Sequence, residues 1–581
     1  MLNPVRDHLL ISLRSNLHKR ARTLCRESER RFLSSPAAVE PLQSLRSVSG
    51  NDQGTKYEDF YRCSTKRWIY NEKQQFALRY VKFDAPALQR IATEVIGAAH
   101  CISMEKLAEG SFNKIFLLRF DNEKELIARI PCPIAGPPHL TVASEVATIE
   151  FARTRLNLPV PKVFAWSSCA DDTDVGAAYI LMEKVPGVTL ADRRADIGSD
   201  VIIPFARSVV SVEKKFSEIP FSQIGSLYFK EDVAIEPQER RLYAEGIPDD
   251  EASERFRIGP TVQREFWRGE RAGTDNVDRG PWPDLQSYGL AIANCERRWL
   301  KRFARPRALD NPFRLSDEQE SIEAHLAMLD RFASILPLLK LPPELLPLTL
   351  WHTDLHEGNV VVEPDGFPGI TGIIDWQNTW IGPRFIQAKF APLFAYEGTL
   401  FDPRKHKPPE WPSNFDELDE EEKAEWKEQF FSLARHKLYE ISLRTRHQEH
   451  RSVLTYPHLK TMVLLFHSAS RTWTDGLVSL RQALIKVAAH WETIAGPGVH
   501  CPLSFGEAEL EDHEEIYARL GLYEGRLQTI LEAFQISQDG AVEPERYEAV
   551  MQALEPLREF WDDERDGGPW PLQDGGWSSL F

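Results

Sequence analysis

Residues 350–362 read LWHTDLHEGNVVV, and residues 370–376 read ITGIIDW. Each stretch contains a short apolar run typical of a buried strand, and the segment between the two runs holds the turn sequence PDG. Two apolar runs joined by a short loop with Pro and Gly predict a β-hairpin. The hairpin is the most informative feature of the chain, because polar residues that could bind a metal or accept a proton occur at its end.

The predicted hairpin brings two oxygen-bearing side chains together. Asn359 immediately precedes the first strand, and Asp375 follows the second. An amide oxygen and a carboxylate are hard ligands suited to Mg²⁺, which usually binds a few protein oxygens together with substrate phosphates. Asp354 lies before Asn359 on the same loop and can point at a hydroxyl that is to be phosphorylated. Metal ligands and a proton acceptor are components that phosphoryl transfer requires.

A second informative pattern lies upstream. Residues 104–130 alternate like three short antiparallel strands with turns between them. Gly110 lies at the tip of the first predicted hairpin, where a glycine lets the backbone approach a phosphate, and Ser111 adds a hydroxyl. Arg129 lies in the third predicted strand, within reach of the same loop. Alone these residues are weak evidence, because ordinary hairpins also contain Gly and Arg.

A helix and a further strand follow this pattern. The helix is predicted to start near Glu145 and to end before the sequence PVP, because prolines cannot continue a helix. The apolar run YILM at 179–182 predicts a short buried strand. It leads to Glu183 and Val185, whose free backbone N–H and C=O groups could pair with the edge of an adenine.

The motif HTDLHEGN followed by IIDW resembles the catalytic and metal loops of the aminoglycoside phosphotransferase family. The resemblance covers about residues 104–400. It implies an α+β, two-lobed, protein-kinase-like fold with a small antiparallel-sheet N-lobe and a larger helical C-lobe. It also implies ATP-dependent, Mg²⁺-assisted phosphorylation of a hydroxyl on a small molecule. The implied site comprises the catalytic base Asp354, the metal ligands Asn359 and Asp375, and the nucleotide-binding residues Gly110, Ser111, Arg129, Glu145, Glu183 and Val185.

Two departures from the kinase pattern leave a second interpretation open. The nucleotide loop has one Gly where protein kinases have G-x-G-x-x-G, and Asn113 stands where a further Gly is expected. Arg129 replaces the strand Lys that pairs with the helix Glu and the phosphates, and the two residues are not interchangeable. The alternative is a catalytically weak nucleotide-binding protein that acts as a mitochondrial scaffold.

The first 46 residues differ from the remainder. They carry nine basic and four acidic residues, with Leu at roughly helical spacing and frequent Ser, as a mitochondrial transit peptide does. A basic amphipathic helix packed on an acidic body, or a disordered arm, would have the same composition. With the aromatic and basic flank at 61–71, this start makes the chain similar to the fungal mitochondrial members named for altered inheritance of mitochondria. We therefore expect a mitochondrial location.

Composition and charge restrict the other possibilities. The 581 residues are 42% hydrophobic and 27% charged, which is typical of a folded protein. The net charge of −17 argues against a broad nucleic-acid surface, which would need clustered Lys and Arg. No run approaches the ~18 apolar residues that a membrane helix needs. The sequence does not indicate the substrate or the oligomeric state.

The expected organisation has five parts. They are a transit peptide or arm at 1–46, a flank at 47–103, the N-lobe at 104–186, the C-lobe at 187–400 with a catalytic loop at 350–376 and an insertion at 215–284, and a helical part at 401–581.

Three smaller expectations concern single residues and one acidic run. Within the insertion, Arg257, Arg264 and Trp267 are candidates for recognising an anionic or planar substrate, the alternative being that its aromatics only pack the insertion. His352 is expected to brace the catalytic loop through hydrogen bonds. The acidic run at 416–422 is expected to start a helix.

Overall fold

A computed structural model describes residues 57–574, apart from residues 172, 194–198, 310, 312–313, 315, 367–368, 397 and 406–409. The predicted transit peptide at 1–46 lies outside these residues. The described strands are β1 (Arg67–Trp68), β2 (Cys101–Glu109), β3 (Asn113–Phe120), β4 (Glu125–Pro131), β5 (Val163–Ser167), β6 (Tyr179–Glu183), β7 (Val188–Thr189), β8 (Ser226–Phe229), β9 (Phe256–Gly259), β10 (Leu348–Trp351), β11 (Val360–Val362), β12 (Ile370–Ile373), β13 (Trp380–Pro383) and β14 (Ala541–Val542). The described α-helices are α1 (Glu58–Tyr61), α2 (Glu72–Arg79), α3 (Ala85–Ile96), α4 (Pro138–Thr154), α5 (Ser199–Ser217), α6 (Ile235–Gln238), α7 (Glu251–Arg255), α8 (Leu285–Phe303), α9 (Ile322–Ile335), α10 (Arg384–Gln387), α11 (Glu420–Arg446), α12 (Gln448–Leu454), α13 (Leu459–Ala469), α14 (Leu477–Ala489), α15 (Trp491–Ala495), α16 (Glu507–Phe534) and α17 (Tyr547–Phe560).

The N-lobe is built on a five-stranded antiparallel sheet with the order β2-β3-β4-β6-β5. Its first three strands are those that the sequence predicts between residues 104 and 130. In β4, Arg129 lies opposite Ile115 of β3 and opposite Ile180 of β6. Arg129 therefore occupies the central strand of this sheet.

Helices cover both faces of the sheet. Alternate residues of β6 point to opposite faces, as in any strand. Ile180 and Met182 pack against α4, whereas Tyr179 and Leu181 belong to a core shared with α3. The sequence placed the start of α4 near Glu145, but the helix begins at Pro138. The earlier start is possible because the first turn of a helix accepts proline.

The C-lobe contains the predicted hairpin, formed by β11 and β12. Val360 lies opposite Ile373, and a third strand, β7, pairs with the other edge of β11. Strands β10 and β13 form a second antiparallel pair beside it. The predicted catalytic loop at 350–376 contains this hairpin, and its first part runs from the end of β10 to the start of β11, so both ends of that part are fixed by strands.

Most of the C-lobe core lies between helices α8, α9, α13 and α14. Ile292, Phe332, Phe466 and Leu484 are buried in it. The insertion contributes to the same core through Phe266, which is 1% exposed. The insertion is therefore packed onto the lobe along part of its length.

The C-terminal part is helical, as predicted, and returns to the N-terminal flank. The acidic run leads into α11, where Asp419 and Glu422 form a reciprocal capping box. Strand β14 pairs with β1, with Trp68 opposite Ala541. The Arg79 guanidinium, 2% exposed, forms an ion pair with Asp539 at 3.1 Å.

The fold is thus α+β with two lobes, a small antiparallel-sheet lobe and a larger helical one. Within the described part of the chain, no helix is both long and apolar enough to cross a bilayer.

Candidate active site

The β11–β12 hairpin joins the two predicted metal ligands at one end. The Ile374 N–H donates to the Asn359 carbonyl oxygen at 3.0 Å, so the residues flanking the two strands are direct neighbours. Asp375 follows with a positive φ of 63°, a backbone conformation that few non-glycine residues adopt. Strained backbone of this kind is common at functional sites.

His352 connects the catalytic loop to the same hairpin, as predicted. Its Nε2 donates to the Ile374 carbonyl oxygen at 3.0 Å, and its Nδ1 accepts from the Asp354 N–H at 3.2 Å. Burial lowers the pKa of His352, which keeps the ring neutral. A neutral ring can donate from one nitrogen and accept at the other, and this pair of bonds requires both roles.

Asp354 presents an accessible carboxylate. Its side chain is 67% exposed, and its Oδ2 lies 3.5 Å from His356 Nε2. The hydrogen bond and charge of His356 lower the pKa of Asp354 below its ordinary value, although burial opposes this shift. The carboxylate is therefore ionised at neutral pH, as a proton acceptor must be. Lys389 donates to the neighbouring Thr353 carbonyl oxygen at 3.2 Å.

Asn359 is almost buried and uses its amide nitrogen within the loop. Nδ2 donates to the Asp354 carbonyl oxygen at 2.9 Å and lies 3.2 Å from His356 Nε2. Because the nitrogen is engaged in this way, the amide oxygen is the atom of Asn359 that suits a hard cation. The bonds fix the spacing between Asn359 and Asp354.

Arg129 contacts three side chains from both lobes, through an ion pair to Glu145 and hydrogen bonds to Asp375 and Gln377. One terminal nitrogen lies 2.8 Å from Glu145 Oε1. The other lies 2.6 Å from Asp375 Oδ1 and 2.8 Å from Gln377 Oε1.

Burial opposes the charge of Arg129, but Asp375 and Glu145 raise its pKa above the ordinary value. Burial raises the pKa of Glu145 to about 7, with Arg129 acting in the opposite direction. Burial likewise favours the neutral form of Asp375, yet Arg129 holds its pKa low.

Gln377 is a site residue that sequence reasoning did not identify. Its side-chain oxygen accepts from Arg129 and also from Asn113, at the start of β3. Asn113 is the residue that occupies the expected glycine position. The only signal in the sequence was Asn113 itself, because a polar side chain at the expected glycine position needs a hydrogen-bond partner. Together Gln377 and Asn113 connect the segment after β12 to the start of β3, beside the turn that carries Ser111.

The nucleotide loop, which is the turn between β2 and β3, is supported by hydrogen bonds within the turn and from the preceding flank. The Gly110 N–H donates to the Asn113 carbonyl oxygen at 3.0 Å and closes the turn that carries Ser111. Glu109, immediately before the turn, is buried and accepts from the Ser64 and Thr65 N–H groups at 2.7 and 3.0 Å. The flank before the sheet therefore supports the loop, a contact that the sequence did not indicate.

The segment after β6 has little free space. The Glu183 N–H donates to the Lys162 carbonyl oxygen at 2.8 Å, and its carboxylate accepts from the Lys162 N–H at 3.0 Å. Val185 packs on Gly372, where an added Cβ would lie 2.4 Å from Val185 Cγ1. Gly372 thus allows the inter-lobe connection to approach the hairpin closely. The Glu183 N–H is already occupied, which leaves its carbonyl oxygen and the Val185 backbone as the candidate adenine contacts.

A cavity of about 430 Å³ opens beside the catalytic loop. Asp354, Asp375, Phe112 of the nucleotide loop and Arg264 of the insertion all line this cavity. A volume of this size suits a small molecule.

Among the described residues, no cluster of three or more His, Cys, Asp or Glu could hold a metal ion. A magnesium site built from one carboxylate, one amide and substrate phosphates does not need such a cluster.

The other two insertion candidates have structural roles. Arg257 donates to the backbone carbonyl oxygens of Gln238, Ser253 and Phe256. Trp267 donates from Nε1 to the Thr261 carbonyl oxygen at 2.7 Å and stacks with the Arg279 guanidinium at 3.9 Å. Arg264 is the member of the trio that lines the cavity.

The fold and this site define a protein-kinase-like phosphotransferase scaffold. The model of the phosphotransferase enzyme family matches residues 103–386. A subtelomeric hrmA-associated cluster protein of Aspergillus fumigatus strain CBS 144.89 is 32% identical over 513 residues, covering 82% of this chain and 97% of that protein. The chain belongs to the phosphotransferase enzyme family.

More distant similarities accompany these matches. The protein named altered inheritance of mitochondria protein 9, mitochondrial, of Zygosaccharomyces rouxii is 24% identical, covering 87% of this chain and 92% of that protein. Among solved structures, aminoglycoside phosphotransferase APH(4)-Ia is 13% identical with a TM-score of 0.34, covering 72% of this chain and all of that chain. The streptomycin–ATP complex of APH(2")-IIa is 11% identical with a TM-score of 0.32, covering 70% of this chain and 97% of that chain.

Proposed function

We propose that this protein transfers the γ-phosphoryl group of ATP to a hydroxyl group of a small molecule. The observation that carries the proposal is Asp354, an ionised carboxylate that faces the same cavity as Asp375. Its backbone is held by His352 and Asn359. A fixed proton acceptor beside a candidate metal ligand has the arrangement that phosphoryl transfer needs.

In the proposed reaction, Asp354 accepts the proton that the substrate hydroxyl loses. The hydroxyl oxygen of the substrate forms a bond to the γ-phosphorus, and the bond from that phosphorus to the β–γ bridging oxygen breaks. The hydroxyl proton passes to the Asp354 carboxylate, and ADP leaves. General-base assistance of this kind typically contributes about 10²–10⁴-fold to the rate.

The residues of the metal loop fit Mg²⁺. The Asn359 amide oxygen and the Asp375 carboxylate would hold the ion, which would neutralise phosphate charge when bound. Arg129 orients the Asp375 carboxylate from the N-lobe, and Glu145 in turn fixes Arg129. A guanidinium can serve both carboxylates and a phosphate because it presents several donors in a plane.

For the nucleotide, the proposal assigns two contact regions. The backbone of Gly110 and the Ser111 hydroxyl would contact the phosphates, as glycine turns commonly do. The backbone of Glu183 and Val185 would contact the adenine. ATP and Mg²⁺ are the cofactors of the proposed reaction.

The first prediction tests the role of Asp354. Asp354→Asn should keep ATP affinity, because the side chain acts on the hydroxyl, while turnover falls by about 10²–10⁴-fold. The measurement is ATP consumption by the full chain with a metabolite extract as acceptor, alongside nucleotide binding. Asp365→Asn, an exposed change in the β11–β12 loop, is the matched control and should leave both quantities unchanged.

The alternative function is a catalytically weak nucleotide-binding scaffold. It is favoured by the ion pair between Arg129 and Asp375, because the guanidinium occupies an oxygen that Mg²⁺ would use. If the wild type and Asp354→Asn both bind ATP and both show only background turnover, the scaffold is the correct interpretation.

We also propose a mitochondrial location. It is supported by the transit-peptide composition of residues 1–46 and by the mitochondrial relatives at 22–24% identity.

A further inference from the structure

Three aromatic side chains line the cavity beside Asp354, and together they are called its aromatic floor. The Tyr288 ring stacks on Trp380 at 5.6 Å and on Phe466 at 6.2 Å between ring centroids. All three residues line the cavity. Such a floor accepts an apolar or planar part of a ligand but cannot orient it, because it offers few polar partners. Orientation must come from the polar groups in the walls.

Arg264 is the most distinctive of these polar groups. Its guanidinium lies over the Phe112 ring at 4.4 Å from the centroid. Within the described part of the chain, its side chain forms neither an ion pair nor a hydrogen bond to another residue. Burial lowers its pKa; Glu265 opposes this effect, whereas the cationic Arg79 and Arg471 add to it. A partly buried cation that no carboxylate contacts directly is unfavourable, and a ligand anion would relieve that cost.

The carboxylates around the cavity do not fill this role. Asp375 is paired with Arg129 at 2.6 Å, and Asp354 is next to His356. Glu265 also lines the cavity but does not form an ion pair with Arg264. Lys389 also lines the cavity and adds a second cation near Asp354. The cavity that Asp354 lines therefore also offers an unpaired guanidinium in a protein whose net charge is −17.

We infer that the substrate carries an anionic group, a carboxylate or a phosphate ester, which Arg264 binds while the hydroxyl lies at Asp354 and an apolar part rests on the aromatic floor. The inference deepens the proposed function and rests on it, because the anion belongs to the molecule that is phosphorylated. Arg264 is then a specificity residue. A planar guanidinium binds both types of anion through two parallel hydrogen bonds.

The position of Arg264 also links the two ligands. Phe112 belongs to the nucleotide loop, directly after Ser111. A substrate anion on Arg264 therefore lies next to the loop that would cover ATP. This proximity raises a competing assignment, that Arg264 binds the nucleotide itself, and the test must separate the two.

The experiment measures binding of four small probes to the full chain by ligand-observed NMR. Benzoate and phenyl phosphate carry a ring and an anion, benzyl alcohol is neutral, and benzylamine is cationic. We expect the wild type to bind one or both anions more tightly than the other two probes. Arg264→Met should weaken anion binding by at least about tenfold, as expected for loss of a charged hydrogen bond. Affinity for ATP should not change.

Two further variants make the result decisive. Arg240→Met removes an exposed arginine that pairs with Glu236 and does not line the cavity, and it should leave anion binding unchanged. Arg264→Lys keeps the charge without the planar fork, so it should bind anions with intermediate affinity even if Arg264→Met does not fold. Equal binding of all four probes, preference for benzylamine, unchanged anion binding in both Arg264 variants, or a loss confined to ATP would each overturn the inference.

The readout does not depend on turnover. If Asp354→Asn abolishes phosphorylation but still binds the anionic probes, both proposals stand. If no turnover is found in any protein while the anions still bind at Arg264, the proposed function fails and the anion site remains.

Discussion

Arg129 shows how one substitution changes the connections of a kinase-like site. A lysine in this strand has one compact ammonium group, whereas the guanidinium of Arg129 contacts Glu145, Asp375 and Gln377 at 2.6–2.8 Å. The segment that contains Asp375 is therefore held to the N-lobe by ion pairs without any ligand. Mg²⁺ would have to share the Asp375 carboxylate with this guanidinium.

The second prediction follows from this arrangement. Asp375→Asn should abolish the thermal stabilisation that Mg²⁺ and ATP together give to the wild type, because the carboxylate ligand is lost. Melting of the free protein should change little, since Arg129 keeps Glu145 and Gln377 as partners. The measurement is a thermal-shift titration with and without Mg²⁺, with Asp365→Asn as the control. Equal stabilisation of Asp375→Asn and the wild type would exclude Asp375 as a metal ligand.

Some of these residues could be placed from the sequence and others could not. Asn359 and Asp375 flank two strands of one hairpin, so short-range spacing was enough to bring them together. The bond between Asn113 and Gln377 joins positions 264 residues apart, and no local pattern encodes such a pairing. Arg264 was one of three candidates from the insertion, and only packing distinguished it from Arg257 and Trp267.

At the scale of elements, α12 packs against the end of β10, from which the catalytic loop starts. His450, 1% exposed, stacks on Trp351 at 4.9 Å and lies 3.1 Å from the Lys389 carbonyl oxygen through Nε2. The neighbouring His447 stacks on it at 5.4 Å. Burial lowers the pKa of His450 to about 3 and that of His447 to about 4. Both rings are neutral in the folded protein, so protons bind preferentially to the unfolded chain.

The third prediction concerns pH. A folded pKa below the ordinary value gives stability that is present above about pH 6.5 and is lost as the pH falls toward the folded pKa. For His450 the loss amounts to about 2 kcal/mol at pH 5. His450→Gln should therefore make the decline of melting temperature from about pH 7 to pH 5 shallower than in the wild type. His500→Gln, an exposed change, should keep the wild-type slope; identical slopes for all three proteins would contradict the assignment.

Element boundaries show where local patterns succeed. Helix α16 begins at Glu507 and ends at Phe534, within the part at 401–581 that the sequence predicts to be helical. Helix α4 starts earlier than expected because its N-cap is Pro137, which offers no side-chain cap, so no Ser, Thr, Asp or Asn marks the start. The pairing of β1 with β14 had no signal, because each strand is two residues long.

At the scale of the whole molecule, the C-terminal segment is joined to the N-terminal flank by one buried network. Asp539 Oδ2 accepts from Trp68 Nε1 at 3.2 Å and from Arg79 at 3.1 Å. Tyr70 packs with Ile530 and Val542 in the same region. The flank contacts Glu109 at the nucleotide loop, so the C-terminal segment supports the site indirectly.

The fourth prediction tests this network. Asp539→Ala removes the carboxylate that pairs with Arg79, so the buried guanidinium keeps Gln75 as an acceptor but has no counterion, and the change should lower the free energy of unfolding by about 3–5 kcal/mol. Unfolding in urea, followed by tryptophan fluorescence, gives the comparison. Asp563→Ala, an exposed change in the same segment, should stay within about 0.5 kcal/mol of the wild type. A similarly small effect for Asp539→Ala would show that the ion pair is not needed.

The fifth prediction concerns the first 46 residues. Their deletion should leave a chain that still melts cooperatively but no longer enters mitochondria, because a presequence supplies an address and not a core. Import into isolated mitochondria and calorimetry are the measurements. Loss of cooperative melting would show that the segment packs on the body of the protein.

The β1–β14 pair also constrains when the chain can finish folding. Trp68 and Asp539 are separated by 471 residues, so the ribosome must make almost the whole chain before they can meet. At typical elongation rates the delay is on the order of a minute. During this interval the flank behind the nucleotide loop is incomplete, and a chain that stops early never acquires its closing strand. A polypeptide that crosses a membrane N-terminus first meets the same order of events, with its final assembly postponed until the last segment arrives.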